Sequence, residues 1–483
     1  MAGPTLYWHD YETFGIDPQW DRPVQFAGVR TDYDFNTVDD PLVIYCKPSD
    51  DYLPDPESCA ITGITPQIAL ENGVNEAEFI ARILERLLVS NTCVLGYNSI
   101  RFDDEVTRNT LYRNLYDPYQ REWQNGNSRW DLIDVVRSCY ALRPEGIEWP
   151  LDDAGSPVFR LEVLAQANGI QHQAAHDALS DVYATIALAK LIRQAQPKLY
   201  QFLFENRSKK AASNLIKLGS NELLLHISGR YAAAKKCAAV ILPICEHPAN
   251  PNGILVYDLS VDPEPLLELT PEEIKQRIFV ANDQLASGVA RIPLKTIHLN
   301  KCPVLAPIKA LRPSDATRLS IDLGVCLKNA ERIISSKSLI GKLNQVFAKY
   351  ANDNVPTDPD LMIYSGGFYS PNDKQLMQKI HSLQPKDLGS THFPFKDSRL
   401  KEMLFRFRAR NYPDTLSIAE MDCWRKFCYQ KLVQPKDSHR IGFDAYFEKI
   451  LKLSGDGLLD QRTSEDLTRY GLKKWDALRH SAE

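Results

Sequence analysis

The sequence predicts three domains: an α/β domain with a mixed sheet at residues 1–196, a small β-rich domain at 197–350 and an α-helical C-terminal domain at 353–476. Three observations predict this fold class. The 483 residues suffice for two to four domains. Strand-like runs alternate with helical patterns in the first part, and Pro, Gly and Asn break the runs of the second. Helical periodicity dominates the third part.

The first domain combines strand and helix patterns. Short apolar runs predict strands at 6–10, 24–30, 42–47 and 92–95. Helical spacing predicts helices at 75–90, 102–115 and 177–194, the first capped by Asn75. Strands that alternate with helices indicate a mixed α/β sheet.

The remaining chain changes character. Predicted strands lie at 223–227, 238–244, 254–259 and 289–292, with a weaker one at 304–306. Helical patterns cover 316–350 and 371–480, and a run rich in Asn, Asp and Pro at 351–359 predicts a linker.

Composition excludes several classes of protein. The longest apolar run, residues 237–245, is interrupted by Pro243 and is half the roughly 20 residues of a membrane span. Residues 1–10 contain neither the basic nor the apolar part of a secretory signal. The ten cysteines form no C-x-x-C pair, which argues against structural zinc and fits a reducing compartment. We therefore expect a cytoplasmic protein without a membrane partner.

Charge is divided unevenly along the chain. Residues 1–196 hold 15 basic and 30 acidic side chains, whereas the remainder holds 42 basic and 32 acidic ones. This asymmetry indicates metal-binding carboxylates in one part and a phosphate-attracting surface in the other. Random drift of surface charge is the alternative.

A carboxylate pair ends the first predicted strand. Asp10 and Glu12 are two residues apart, so on a strand they point to the same face. Two neighbouring carboxylates repel each other unless a cation lies between them. A solvated strand end is the ordinary alternative for so short a motif.

Two further segments supply acids and a histidine. Asp103 falls in the first turn of a predicted helix, and we expect its neighbour Asp104 to face solvent. His176 and Asp181 would point about 140° apart on one helix, so we place His176 in the entering loop and Asp181 on the helix, with Asp177 as its N-cap. Oxygen ligands with few His or Cys suit Mg²⁺ or Mn²⁺.

The order and spacing of these motifs resemble a known group of enzymes. Asp10-x-Glu12, Asp103 and His176-x₄-Asp181 are similar to the DEDDh 3′→5′ exonucleases. The segments that resemble the bacterial exonuclease I family in particular are 9–15, 96–108, 129–131, 143–146, 300–306 and 408–413.

The resemblance implies a ribonuclease-H-like nuclease domain, an SH3-like β-barrel domain and a helical C-terminal domain that together clamp single-stranded DNA. It implies processive 3′→5′ release of 5′-mononucleotides in DNA repair and recombination, with two Mg²⁺ ions that Mn²⁺ replaces. By position, His176 would be the general base, and the metal ligands would be Asp10, Glu12, Asp103 and Asp181. It further implies binding of the acidic tail of single-stranded-DNA-binding protein. We expect the protein to be a monomer.

Cationic grooves and aromatic rings hold single strands. We expect Phe14 to stack on the terminal base and Glu12 to contact the substrate as well as the metal. The other predicted contacts are Arg108, Trp123, Arg137 and Arg160. A surface ion pair is the alternative for each arginine, and a core position is the alternative for Trp123.

A basic stretch lies between residues 396 and 410. It predicts a wall of the clamp, a docking site for an acidic partner, or a packed helix with a solvated basic face. Its cations are Lys396, Arg399, Lys401, Arg406, Arg408 and Arg410.

Two other functions remain open from the sequence. The same chemistry could act on RNA, since no residue pattern reports recognition of the 2′ hydroxyl. A strand-binding scaffold with an idle nuclease fold is the second alternative, which an intact set of acids disfavours.

Overall fold

A computed structural model describes residues 3–172, 177–231, 235–348, 356–435 and 441–479. The chain divides into two compact units. The first contains Met1–Ser128, His172–Tyr183 and Asp353–Glu483, and the second contains Arg129–Gln171 and Ala184–Asn352. The domain boundaries drawn from the sequence stay predictions.

The strands follow the chain as β1 (Thr5–Thr13), β2 (Pro23–Thr31), β3 (Leu42–Cys46), β4 (Gly73–Val74), β5 (Thr92–Gly96), β6 (Ser128–Asp131), β7 (Leu224–Ile227), β8 (Ala238–Glu246), β9 (Gly253–Asp258), β10 (Leu294–His298) and β11 (Val304–Pro307).

The helices are α1 (Pro56–Thr62), α2 (Pro66–Asn72), α3 (Glu76–Leu87), α4 (Asp103–Arg113), α5 (Leu132–Leu142), α6 (Leu161–Ala167), α7 (Ala178–Ala195), α8 (Pro197–Glu205), α9 (Lys209–Leu215), α10 (Glu264–Glu268), α11 (Pro271–Phe279), α12 (Pro313–Arg318), α13 (Leu323–Ser335), α14 (Leu339–Val346), α15 (Pro371–Ser382), α16 (Arg399–Asn411), α17 (Ile418–Leu432), α18 (Phe443–Gly455) and α19 (Gln461–Arg479). Among the described residues, none of the helices is long and apolar enough to cross a bilayer.

The first unit is built on a mixed sheet. Its strands have the order β4-β3-β2-β1-β5. The β1–β2 and β2–β3 pairs are antiparallel, whereas β1–β5 and β3–β4 are parallel. The mixed sheet predicted for the first domain is therefore confirmed.

Local sequence signals set where the helices of this unit begin. Asn75 caps α3, because its side-chain oxygen accepts the backbone N–H of Glu78 at 2.9 Å. Asp177 precedes α7 in the same way and accepts the N–H of Ser180 at 3.1 Å. Both predicted caps are confirmed.

The C-terminal helices of the first unit share a core with its N-terminal residues. One apolar cluster contains Phe14 and Tyr52 together with Trp424, Phe443 and Tyr446. Residues more than 350 positions apart in the chain are therefore packed in one core.

The second unit contains an antiparallel sheet with the order β10-β9-β8-β7-β11. The strands predicted at 223–227, 238–244, 254–259 and 304–306 are confirmed within a few residues. The strand predicted at 289–292 is wrong, because β10 begins only after Pro293, whose carbonyl accepts the N–H of Asp258 at 3.2 Å. The linker predicted at 351–359 falls mostly outside the described residues.

One of the alternatives for residues 396–410, a packed helix with a solvated basic face, is wrong for its arginines. Arg399, Arg406 and Arg408 are buried, and the Arg410 side chain is only 3% exposed. Each guanidinium pairs with a carboxylate, as Arg408 does with Glu420 at 2.6 Å.

Asp51 lies at the centre of this buried charge network. Arg410 donates to both of its carboxylate oxygens, and Lys431 lies 2.5 Å from one of them. Burial alone would raise the pKa of Asp51, but Arg410, Lys431 and Arg22 outweigh it and hold the pKa well below its usual range.

Replacement of Asp51 by asparagine should lower the free energy of unfolding by roughly 3–5 kcal/mol, because the buried Arg410, Lys431 and Arg22 each lose a carboxylate partner. A carboxyl whose pKa is lower in the folded state contributes its full stabilisation of the fold above about pH 4. This stabilisation is lost as the pH falls further. Wild-type melting temperature should therefore drop more steeply below about pH 4 than that of D51N. Equal slopes, with exposed Asp476→Asn as control, would contradict the assignment.

Candidate active site

Three carboxylates meet where β1 faces the start of α7. Asp10 and Glu12 project from the same face of β1, as predicted, and Asp181 lies in the first turn of α7. One carboxylate oxygen from each of these residues lies within 4.8 Å of the other two. Donors at this spacing can share a cation.

Asp103 is attached to the same strand. It is the first residue of α4 and is 4% exposed. Its Oδ1 accepts the backbone N–H of Tyr11 at 3.1 Å, and Tyr11 lies between Asp10 and Glu12 in the chain. The structure therefore places three of the four predicted acids within 4.8 Å of one another and holds the fourth, Asp103, beside them on the backbone of β1.

Burial and mutual repulsion disfavour the ionised acids. Burial raises the pKa of Asp10 well above its usual value, and Asp103, Glu12 and Asp181 raise it further. Burial and then Asp181 raise the pKa of Glu12 to about 8. A divalent cation would reverse this effect. The set contains only oxygen donors, which fits Mg²⁺ or Mn²⁺.

Gln25 holds the start of α7, a role that the sequence analysis missed. It pairs with Glu12 across β1 and β2 and is 1% exposed. Its side-chain nitrogen donates to Asp177 at 3.3 Å, and its side-chain oxygen accepts the N–H of Ala178 at 3.3 Å. A polar residue within an apolar strand was the available signal.

The predicted general base, His176, lies outside the described residues. A second histidine was missed: the Nε2 of His172 makes a hydrogen bond with Oδ1 of Asp181. Its position four residues before His176 in the sequence was the available signal.

The predicted substrate contacts of the first unit have different environments. Phe14 is 1% exposed in the core, whereas Trp123 is 68% exposed, which excludes a core position for that ring. Arg108 is buried, and Glu122 accepts from its Nε and Nη2 at 2.7 and 2.9 Å. Its contact with Glu105 at 2.8 Å completes an ion-pair cluster.

The two remaining predicted contacts belong to the second unit. Arg137 pairs with Asp134 at 2.8 Å. Arg160 lies 3.6 Å from Glu162 and has a side chain that is 73% exposed. An ion pair exists at each arginine, so the DNA contacts of all three stay predictions.

The solvent-facing position predicted for Asp104 is wrong. Asp104 is 2% exposed, and its Oδ1 lies 2.6 Å from Nη2 of Arg121. Arg121 and its neighbours bury this side of α4, and no pattern in the sequence predicts that burial.

A mixed sheet with carboxylates on β1, α4 and α7 defines a class of metal-dependent nucleases, and three family models agree. An Exonuclease model matches residues 7–189, the Exonuclease I SH3-like domain model matches 207–349, and the Exonuclease I C-terminal domain model matches 357–477.

Curated relatives carry the name exodeoxyribonuclease I. The Haemophilus influenzae protein is 44% identical over 97% of this chain and 98% of its own length. The Escherichia coli protein is 48% identical over 87% of this chain and 88% of its own length. The chain therefore belongs to the exonuclease I family and is a nuclease, and the SH3-like and helical C-terminal domains are confirmed.

Solved structures agree. Exonuclease I from Methylocaldum szegediense has a TM-score of 0.93 and 49% identity, over 98% of this chain and 100% of that one. E. coli exonuclease I in complex with a dA16 oligonucleotide has a TM-score of 0.93 and 43% identity with the same coverage. An ExoI/SSB-Ct complex has a TM-score of 0.90 and 42% identity, over 99% and 100% of the two chains.

Removal of one acid should stabilise the metal-free protein and abolish its response to metal. Asp10→Asn relieves repulsion within the cluster, so the melting temperature in EDTA should rise by about 1–2 °C for each kcal/mol relieved. The rise that Mn²⁺ causes in the wild type by mass action should disappear. Thermal melts with and without Mn²⁺ test this, with exposed Glu85→Gln as control. An unchanged Mn²⁺ response in D10N would contradict the site.

Proposed function

We propose that this protein is a 3′→5′ exodeoxyribonuclease that processively degrades single-stranded DNA to 5′-mononucleotides, in DNA repair and recombination. The convergence of Asp10, Glu12 and Asp181 within 4.8 Å carries the proposal. The relatives named exodeoxyribonuclease I and the E. coli structure with bound dA16 support this substrate and reaction.

The four acids are the proposed ligands of two Mg²⁺ ions, which Mn²⁺ can replace. Glu12 also contacts the substrate in this proposal. When bound, such ions lower the pKa of a water molecule and stabilise the leaving oxygen. The protein contributes rigid ligands, since the Tyr11 N–H fixes Asp103 and Gln25 fixes the start of α7.

The reaction is hydrolysis of the terminal phosphodiester. The oxygen of a water molecule bonds to phosphorus as the bond to the 3′ oxygen of the shortened strand breaks. His176 is the proposed acceptor of the water proton, because an imidazole with a pKa near 6.5 can take a proton at neutral pH. The 3′ oxygen then gains a proton from solvent, and a 5′-mononucleotide leaves.

Exposed aromatic rings of the first unit could support the bases. Trp123, Tyr364 and Phe368 are 68%, 60% and 86% exposed. The hydroxyl of Tyr364 makes a hydrogen bond with Glu105, which lies in the first turn of α4 together with Asp103. Stacking on such rings tolerates any base sequence, which suits an enzyme that moves along a strand.

The other predicted substrate contacts and the protein partner belong to the same proposal. Arg108, Arg137 and Arg160 are proposed phosphate or base contacts. Phe14 is a proposed contact of the terminal base, although its buried ring must turn outward to stack. The ExoI/SSB-Ct complex supports an acidic SSB tail as a partner of this protein as well.

An oligonucleotide with a blocked 3′ end should persist, and one with a blocked 5′ end should be shortened from its free 3′ end. EDTA or Asp10→Asn should stop the shortening while the DNA stays bound, because both act on the metal site rather than on the strand-holding surface. Gel analysis of labelled oligomers measures these outcomes.

Matched DNA and RNA oligomers in the same assay separate the alternatives. Faster shortening of RNA would contradict the proposed substrate. Retention of DNA without shortening in Mg²⁺ would favour a binding scaffold instead.

Replacement of Trp123 by alanine should weaken the binding of single-stranded DNA about tenfold, since one base–aromatic stack contributes roughly 1–3 kcal/mol. Fluorescence anisotropy at fixed salt, in a D10N background that prevents degradation, measures this. Tyr33→Ala is the control, because the exposed Tyr33 follows β2 at the end of the sheet away from Glu12. Equal affinities for the two variants would contradict the Trp123 contact.

A further inference from the structure

The first turn of α4 has an unusual anchor. Phe102 occupies the N-cap position and makes no side-chain hydrogen bond to the helix. Side-chain caps normally satisfy the free N–H groups of a first turn. Here the backbone N–H of Asp104 donates to the carbonyl of Ser99 at 2.9 Å, and the side chain of Asp104 points to Arg121.

Arg121 is completely buried. Its Nη2 lies 2.6 Å from Oδ1 of Asp104, and the two side chains are 0% and 3% exposed. Its Nε and Nη1 have no hydrogen-bond partner among the residues that the structure describes. A buried guanidinium with so few polar contacts depends on its one carboxylate, because loss of that partner leaves an uncompensated charge.

A second ion pair lies one turn further along α4, and in this pair the arginine belongs to the helix and the acid to the segment that follows it. Arg108 is four residues after Asp104, so the two share one face of the helix. Glu122, next to Arg121 in the chain, accepts from Arg108 at 2.7 Å. Residues 121 and 122 therefore hold the first two turns of α4 through two buried pairs.

The ion pair between Asp104 and Arg121 opposes the repulsion between Asp103 and the other acids. Without metal, Asp103 is repelled by the other acids, while its Oδ1 accepts the Tyr11 N–H of β1. Asp103 and Asp104 are adjacent on one rigid turn, so a movement that separates Asp104 from Arg121 also moves the Asp103 carboxylate.

We propose that Arg121, through its ion pair with Asp104, is a positioning residue that holds Asp103 in place as a metal ligand. This role rests on the proposed function, because it assumes that the acid cluster holds metal. Arg121 itself contacts neither the substrate nor the proposed metal ligands in this assignment.

Arg121→Leu tests the proposal against a matched control. Arg113→Leu removes another buried pair, with Glu76 at 3.1 Å, from the opposite end of the same helix. Both variants should melt at lower temperature. Only R121L should bind Mn²⁺ more weakly, by about tenfold or more, as expected for loss of a residue that orients a ligand. Isothermal titration of the DNA-free protein with Mn²⁺ measures this without reference to activity.

Two additional variants keep the test decisive. Arg121→Lys retains the charge and should recover much of the affinity. If R121L does not fold, the neutral double variant D104N/R121Q takes its place and should show the same loss of Mn²⁺ affinity. Wild-type affinity in folded R121L, or in D104N/R121Q where that variant replaces it, would overturn the proposal, as would equal losses in R121L and R113L. Absence of Mn²⁺ binding by the wild type would instead overturn the proposed function.

Discussion

The repulsion among four carboxylates is the constraint on which the rest of this structure depends. Burial and proximity both disfavour ionised Asp10 and Glu12. The fold nevertheless brings the acids together from a strand end and the first turns of two helices. Each contribution is held separately: β1 by its place in the sheet, α4 by the Tyr11 N–H, and α7 by Gln25. Folding therefore holds the acids together against their repulsion, at a site whose negative charge divalent ions can neutralise.

The first unit achieves this rigidity with residues that are distant in the chain. Its core combines Phe14 and Tyr52 with aromatic rings of α17 and α18. Buried ion pairs add to this packing, since Arg410 binds both Asp51 and Asp360. Desolvation offsets much of the attraction within such pairs, but loss of one partner would leave the other charge buried and uncompensated. The C-terminal helices are therefore part of the framework that holds the acids.

Much of the site could be predicted because its signals are local. The alternation of a strand places Asp10 and Glu12 on one face, and capping explains Asn75 and Asp177. The predictions that failed concern residues whose environment is not set by local sequence signals. Asp104 and the arginines of α16 look like solvated charges, because the packing that buries them involves residues from other parts of the chain. Gln25 was missed for the same reason, since its role requires the position of α7.

The most direct measurement is the anomalous scattering of crystals soaked in Mn²⁺. The account predicts two peaks among the carboxylates of Asp10, Glu12, Asp103 and Asp181, at the roughly 4 Å separation of two-metal sites. Dispersed acids, or a cluster without a peak in a crystal that takes up Mn²⁺ elsewhere, would contradict it.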